Sequence, residues 1–305
     1  MDEKQMISEI QRLKKEKNAI ILAHNYQIPE VQDISDRIGD SLELIQEVEN
    51  TEADTIIFSG VFFMAESAKI LSPHKKILLP VYDAGCARNM MNEDQLIEFK
   101  REHPTIPVVC TIHASARVKA ESELCCTSAN AVKIIGGMEA DKILFVSDQN
   151  LGDYVGRHLP EKEIISWEGF CITHHRVRPM EVTGARNHHP HALVLVNPGC
   201  APNVVEMADF VGSTSAIVQF IGESENKSFI IGTEMGVLHR LRKQFPHKSF
   251  YLLSPGLTCY EMKKTSLVDI YRALLYDQYE IVVEEELRQK AGLCLRRMLD
   301  LTQKK

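Results

Sequence analysis

The sequence predicts an α/β protein of three repeated α/β/α three-layer units, and three observations carry that expectation. Cys86, Cys171 and Cys259 recur at intervals of 85 and 88 residues, each just past an apolar run that ends in a loop. A Pro-x-Lys precedes every run: Pro73-His74-Lys75, Pro160-Glu161-Lys162 and Pro246-His247-Lys248. Continuous apolar stretches alternate with helical ones, which is the pattern of βαβ units and parallel sheets. A unit of about 86 residues therefore occurs three times, with one thiol at the same place in each. Pseudo-threefold repetition can bring distant thiols to a common axis, and that suits a metal cluster better than three unrelated cysteines.

The elements of the repeat follow in order. First strands are Ala19-Ile20-Ile21-Leu22-Ala23, Pro107-Val108-Val109-Cys110-Thr111 and Ala192-Leu193-Val194-Leu195-Val196. Second strands are Thr55-Ile56-Ile57-Phe58, Lys142-Ile143-Leu144-Phe145-Val146 and Ser228-Phe229-Ile230-Ile231. Third strands run into the cysteine loops, and helices such as 64–71 and 237–244 fill the gaps. Residues 4–17 and 265–305 have helical composition and are expected to wrap the first unit. The units are drawn at 1–86 (with 263–305 packed on it), 87–173 and 174–262. Loops at the carboxyl ends of parallel strands carry the ligand site in such sheets.

Composition narrows the function. The chain has 44% hydrophobic and 25% charged residues, which is ordinary for a globular protein. A net charge of −7 with scattered basic residues gives no nucleic-acid footprint. No apolar stretch nears the roughly 20 residues of a membrane span, and the N-terminus lacks a signal-peptide pattern, so a cytoplasmic location is expected. There is no CxxC pair. Cys110, Cys125, Cys126, Cys200 and Cys294 stand in apolar or helical contexts and read as small buried hydrophobes.

Between its first and second strands each unit also carries hydroxyl residues at an expected helix start: Asp40-Ser41-Leu42, Thr127-Ser128-Ala129 and Ser213-Thr214-Ser215. Two readings stand. The residues cap helices, or three helix N-termini offer amides and hydroxyls to an anionic small molecule.

Several segments in order resemble the quinolinate synthase family over nearly the whole length. They include Ala23-His24-Asn25-Tyr26-Gln27, Gly39-Asp40-Ser41-Leu42, 60–69, Ala84-Gly85-Cys86 and 118–122. Further on come 125–131, Asn150-Leu151-Gly152, 167–171, Gly212-Ser213-Thr214-Ser215, 232–236 and Cys259 with Met262-Lys263-Lys264. The resemblance implies three α/β/α domains related by pseudo-threefold symmetry around a [4Fe-4S] cluster. Cys86, Cys171 and Cys259 would hold three irons, with the fourth iron open as a Lewis acid while iminoaspartate and dihydroxyacetone phosphate condense to quinolinate. It also implies substrate-binding roles for Ser41, Ser128 and Thr214, with Ser213 beside them. Active-site roles fall to His24 and Tyr26, and His174 matches a histidine near the cluster.

The chain departs from the family in the substrate shell. The family's Tyr-x-Asn-Thr-Ser-Ala reads 111–116 here, so its Tyr is Thr111 and its Asn is His113. Its His-Pro-Glu-Cys-Pro reads 197–201, so the His is Asn197 and the Glu, an acid/base, is Gly199. The usual Asn after the third ligand is Glu261. Loss of a positioned acid/base typically costs about 10²–10⁴ in rate. We therefore expect an oxygen-sensitive [4Fe-4S] lyase or hydro-lyase acting on a small anionic or heterocyclic molecule different from the family's. His113 and Glu261 join the catalytic candidates, and Thr111 and Asn197 the binding ones. Quinolinate synthase itself, in NAD biosynthesis, is the alternative, followed by a non-enzymatic iron-sulfur sensor or binding protein. Electron and cluster-assembly partners stay unnamed.

Overall fold

Three four-stranded sheets share one strand order. In the first, β1 (Ala19–His24), β2 (Arg37–Gly39), β3 (Thr55–Ser59) and β4 (Lys76–Leu78) lie as β2-β1-β3-β4. In the second, β5 (Val108–Thr111), β6 (Leu124–Cys126), β7 (Lys142–Val146) and β8 (Glu163–Ser166) lie as β6-β5-β7-β8. In the third, β9 (Leu193–Val196), β10 (Phe210–Val211), β11 (Ser228–Gly232) and β12 (Ser249–Leu252) lie as β10-β9-β11-β12. The strands pair in parallel. This computed structural model describes residues 1–86 and 91–303. The expected start of the second unit at 87 and the last two residues of the expected C-terminal helix lie outside them.

The expected repeat of three strands is thus a repeat of four. The strands not expected, β2, β6 and β10, are edge strands of two or three residues, too short to show as apolar runs. Parallel strands buried on both faces explain the continuous runs that were legible. In the third sheet alternate residues enter two cores. Val194, Val196 and Ile230 join Val182, Val204 and Leu257, while Leu195, Phe229 and Ile231 join Ile217 and Leu241. Two cores on the two faces of one sheet are the α/β/α layering itself.

The chain divides into two compact units. One comprises Met1–Cys86, Ile112–Cys125 and residues 260–303; the other comprises residues 91–111 and Cys126–Cys259. In the first unit, Ile10 and Leu13 of the helix Glu3–Glu16 share a core with Ile21, Ile57 and Leu78. Leu267, Ile270 and Leu274 of the helix Leu267–Tyr276 complete it. Each such leucine or isoleucine contributes about 1.5–3 kcal/mol on burial. The long helix Glu285–Gln303 also belongs here, with Arg288 reaching the Ile70 carbonyl and Arg297 the Glu123 carbonyl.

The Pro-x-Lys motif has a structural cause. Lys75 donates to the carbonyls of Thr51 and Ala53, Lys162 to Met138 and Ala140, and Lys248 to Ile221 and Ser224. Each ammonium closes the carbonyl-rich end of the helical segment that precedes the central strand of its sheet, where the helix dipole favours a cation.

Candidate functional site

At the other edge of each sheet the cysteine loop is tied down in the same way. The Phe62 N–H donates to Ala84 O at 2.8 Å, the Gln149 N–H to Gly169 O at 2.7 Å, and the Met235 N–H to Leu257 O at 2.8 Å. Each donor follows the central strand, and each acceptor stands two residues before a cysteine: Cys86, Cys171 and Cys259. The sequence repeat is therefore a repeat of backbone geometry, one thiol per sheet. Cys86 is exposed and Cys171 and Cys259 are half-buried, whereas Cys110, Cys125, Cys126, Cys200 and Cys294 are buried, as their apolar contexts led us to expect. Burial pushes the Cys126 and Cys200 thiols up, keeping them neutral. The loop cysteines are the more accessible thiols, and accessibility separates reactive cysteines from structural ones.

Within the second unit several expected site residues meet. Cys171 Sγ lies 3.3 Å from His174 Nδ1, and His174 Nε2 lies 3.0 Å from the Thr233 hydroxyl. Both ring nitrogens are thus engaged. The Thr173 hydroxyl stands 3.5 Å from the Thr258 carbonyl, which brings the chain after Cys171 beside the residue before Cys259. Glu234, fully buried, accepts the Cys259 N–H at 3.0 Å and the Gly236 N–H at 2.7 Å. Asn197 is turned onto its own loop, accepting the Gly199 N–H at 2.9 Å, and Asn150 donates to the Gly199 carbonyl at 2.9 Å. A side chain at 199 would begin 3.1 Å from Asn197 Oδ1 and 3.6 Å from His174 Cβ, so Gly199 abuts both residues.

The first unit holds His24, Tyr26, His113, Cys86 and Glu261. His24 follows from the run of β1 to its last residue, and its Nδ1 accepts the Tyr26 N–H at 3.2 Å. That bond places the proton of the neutral ring on Nε2. The two rings meet edge-on at 4.3 Å. His113 packs 4.7 Å from the Phe63 ring. Glu66 accepts the Ala116 N–H at 2.9 Å, and the buried Lys119 donates to Ser67 Oγ and Ala114 O. Burial raises the Glu66 carboxyl, with Lys119 and the Ala116 amide opposing. Glu261 accepts the Gly85 N–H at 2.8 Å, one residue before Cys86, and pairs with Lys264 at 2.9 Å.

The hydroxyl residues divide between the two readings. Asp40, not Ser41, caps the helix Ser41–Asn50 through the amides of Leu42 and Glu43, so Ser41 is its first residue. Ser213 caps the helix Thr214–Glu223 by accepting the Ala216 N–H, and Thr214 follows it, buried. Ser128 does not open a helix: Ser128-Ala129-Asn130 is a turn, and the helix Ala131–Gly136 begins after Asn130. The Thr127 carbonyl accepts from Asn130 and Ala131, which delays the helix start. Thr111 ends β5, fully buried, and its hydroxyl has no partner among the described residues.

Thr233 and Glu234 were not singled out from the sequence. The available signal was position: Thr233 follows the central strand of its sheet as Ser147 does, and Ser59 ends the first such strand.

Three parallel α/β/α layers with one backbone-tied cysteine loop apiece define a repeated α/β protein built to present thiols from strand ends. A family model described as "Quinolinate synthetase A protein" matches residues 8–300. The chain is 59% identical over 302 residues to quinolinate synthase of Alkaliphilus metalliredigens, covering 99% of this chain and 100% of that protein. It is 51% identical over 303 residues to quinolinate synthase of Caldicellulosiruptor saccharolyticus and 48% over 303 residues to that of Methanoregula boonei, with the same coverage. The chain belongs to the quinolinate synthetase A family. Among the described residues no helix is long and apolar enough to cross a membrane.

Proposed function

We propose that the chain is a quinolinate-forming enzyme that condenses iminoaspartate with dihydroxyacetone phosphate. The observation that carries this reading is identity of up to 59% over full length with relatives named quinolinate synthase. Those relatives favour it over our expectation of a substrate different from the family's, which finds no support in them. A cytoplasmic location and sensitivity to oxygen belong to the same proposal.

The residues present fit a [4Fe-4S] cluster held by Cys86, Cys171 and Cys259, since these thiols are the less buried ones on loops of matching geometry. When bound, such a cluster with an open iron supplies Lewis-acid assistance to water loss. Small anionic substrates are then the partners of the surrounding polar groups. The ten-residue helices Ser41–Asn50 and Thr214–Glu223 favour anionic groups at their amino ends. With Asp40 and Ser213 acting as caps, Ser41 and Thr214 are the hydroxyls assigned to substrate. His24, with its proton on Nε2, donates toward a carbonyl or carboxylate oxygen, and Tyr26 is held edge-on beside it. Thr233 holds His174 against Cys171. Thr111, His113 and Asn197 complete the polar lining, and Gly199 leaves the acid/base work to histidines.

The test is quinolinate formation by anaerobically purified, iron-loaded protein given iminoaspartate and dihydroxyacetone phosphate. Product at a rate above the cysteine variants supports the reading. Absence of product at full iron content overturns it.

A further inference from the structure

Two carboxylates outside the proposed substrate contacts grip the ligand loops by their backbone. Glu234 is fully buried, and its oxygens take the N–H of Cys259 at 3.0 Å and of Gly236 at 2.7 Å. Glu261 takes the N–H of Gly85, the residue before Cys86, at 2.8 Å. A neutral acceptor could hold the same loops. What a carboxylate adds is negative charge, placed on the Cys259 amide by Glu234 and one residue before Cys86 by Glu261, and burying it as at Glu234 is costly.

That charge has a defined effect on a thiolate-bound cluster. Reduction adds an electron, and a nearby anion opposes it. Backbone N–H groups that point at cluster or cysteine sulfur raise the potential. Glu234 removes the Cys259 amide from that role by accepting its proton. Both effects have the same sign. We infer that Glu234 and Glu261 are positioning residues that fix the ligand loops and hold the potential of the bound cluster low. This rests on the cluster reading above. Glu234 is the stronger of the two, because Glu261 is partly exposed and offset by Lys264 at 2.9 Å.

The experiment is a redox titration of the loaded full-length protein, followed by electron paramagnetic resonance, with iron and sulfide measured in parallel. Glu234→Gln should keep its iron and shift the midpoint potential to a more positive value. Glu261→Gln should shift it the same way by less, and Glu234→Asp should stay nearer wild type. A loaded Glu234→Gln protein with the wild-type potential overturns the inference. If Glu234→Gln folds but takes up little iron, loop positioning is supported and Glu261→Gln decides the potential: an unmoved value overturns the claim that these carboxylates hold it low. If Glu234→Gln does not fold, Glu261→Gln alone decides in the same way. A wild-type protein that binds no iron overturns the cluster reading and this inference together, whereas loaded wild type with unmoved variants overturns the inference alone.

Discussion

The amino-terminal edges of the three sheets are alike, and the carboxyl-terminal edges are not. At the first, Lys75, Lys162 and Lys248 each close two carbonyls of the preceding segment. At the second, the facing positions on the two central strands differ. They are His24 with Gly60, then Thr111 with Ser147, then Asn197 with Thr233, each pair one residue past the paired strand residues. Their hydrogen bonding differs as well. The first sheet offers no hydroxyl there, the hydroxyls of Ser147 and Thr111 have no partner among the described residues, and Thr233 holds His174. The uniform edge serves the fold in every repeat. The varied edge is the one at which parallel sheets of this kind carry their ligand sites.

The comparison can be broken most forcefully at the carboxyl edge. Cys171→Ala should abolish cluster uptake and quinolinate formation, while Cys294→Ala should leave both; iron and sulfide analysis reads the difference. Retention of near-full iron by Cys171→Ala would remove the ligand assignment. At the amino edge, replacing Lys75, Lys162 or Lys248 by Met should each cost about 2–3 kcal/mol in urea denaturation, since each loses charged hydrogen bonds. Michaelis constants should not move. A stability loss confined to one lysine would break the claim that this edge is uniform.

Finer tests compare the equivalent hydroxyls. Thr233→Val should lower kcat about tenfold by releasing His174, in line with outer-shell losses at metal sites. Ser147→Ala should change stability by less than about 1 kcal/mol or raise it, because it removes a buried hydroxyl without a partner among the described residues. Equal kinetic losses in the two variants would show that the edges are more alike than their bonding suggests.

The smallest effect lies away from the site. The Lys17 ammonium, at 2.7 Å, and then Lys76 hold the Asp277 carboxyl below its ordinary value. With the folded value below the unfolded one, its stabilisation is present above about pH 3.9 and fades as pH falls through the folded value. Asp277→Asn should therefore be slightly less stable than wild type at neutral pH and match it in strong acid.

Much of this was legible in the sequence because buried parallel strands must be apolar on both faces. The runs ending at Ala23, Thr111 and Val196 showed themselves for that reason, and the cysteine spacing fixed the repeat. Edge strands such as Phe210–Val211 were hidden, since two residues make no pattern. The start of the helix after Ser128 was misplaced because a turn around Thr127 uses the same residue types as a cap. Glu261 was read as a catalytic candidate beside Cys259, and nothing local could reveal its bond to Gly85, 176 residues away in sequence. Thr233 and Glu234 lie in the segment 232–236 that carries the resemblance but were given no role, because His174 and Cys259 are 59 and 25 residues away in sequence.

One feature of the first unit sets an order of events during synthesis. Ile10 and Ile21 emerge early from the ribosome, yet Leu267, Ile270 and Leu274, which share their core, come near the end. A nascent chain that has just released Cys259 already carries every thiol assigned to the cluster. The core around its first strand is still open to solvent at that moment. On the proposed assignment, those thiols are therefore synthesised before the helix Leu267–Tyr276 that completes the first core.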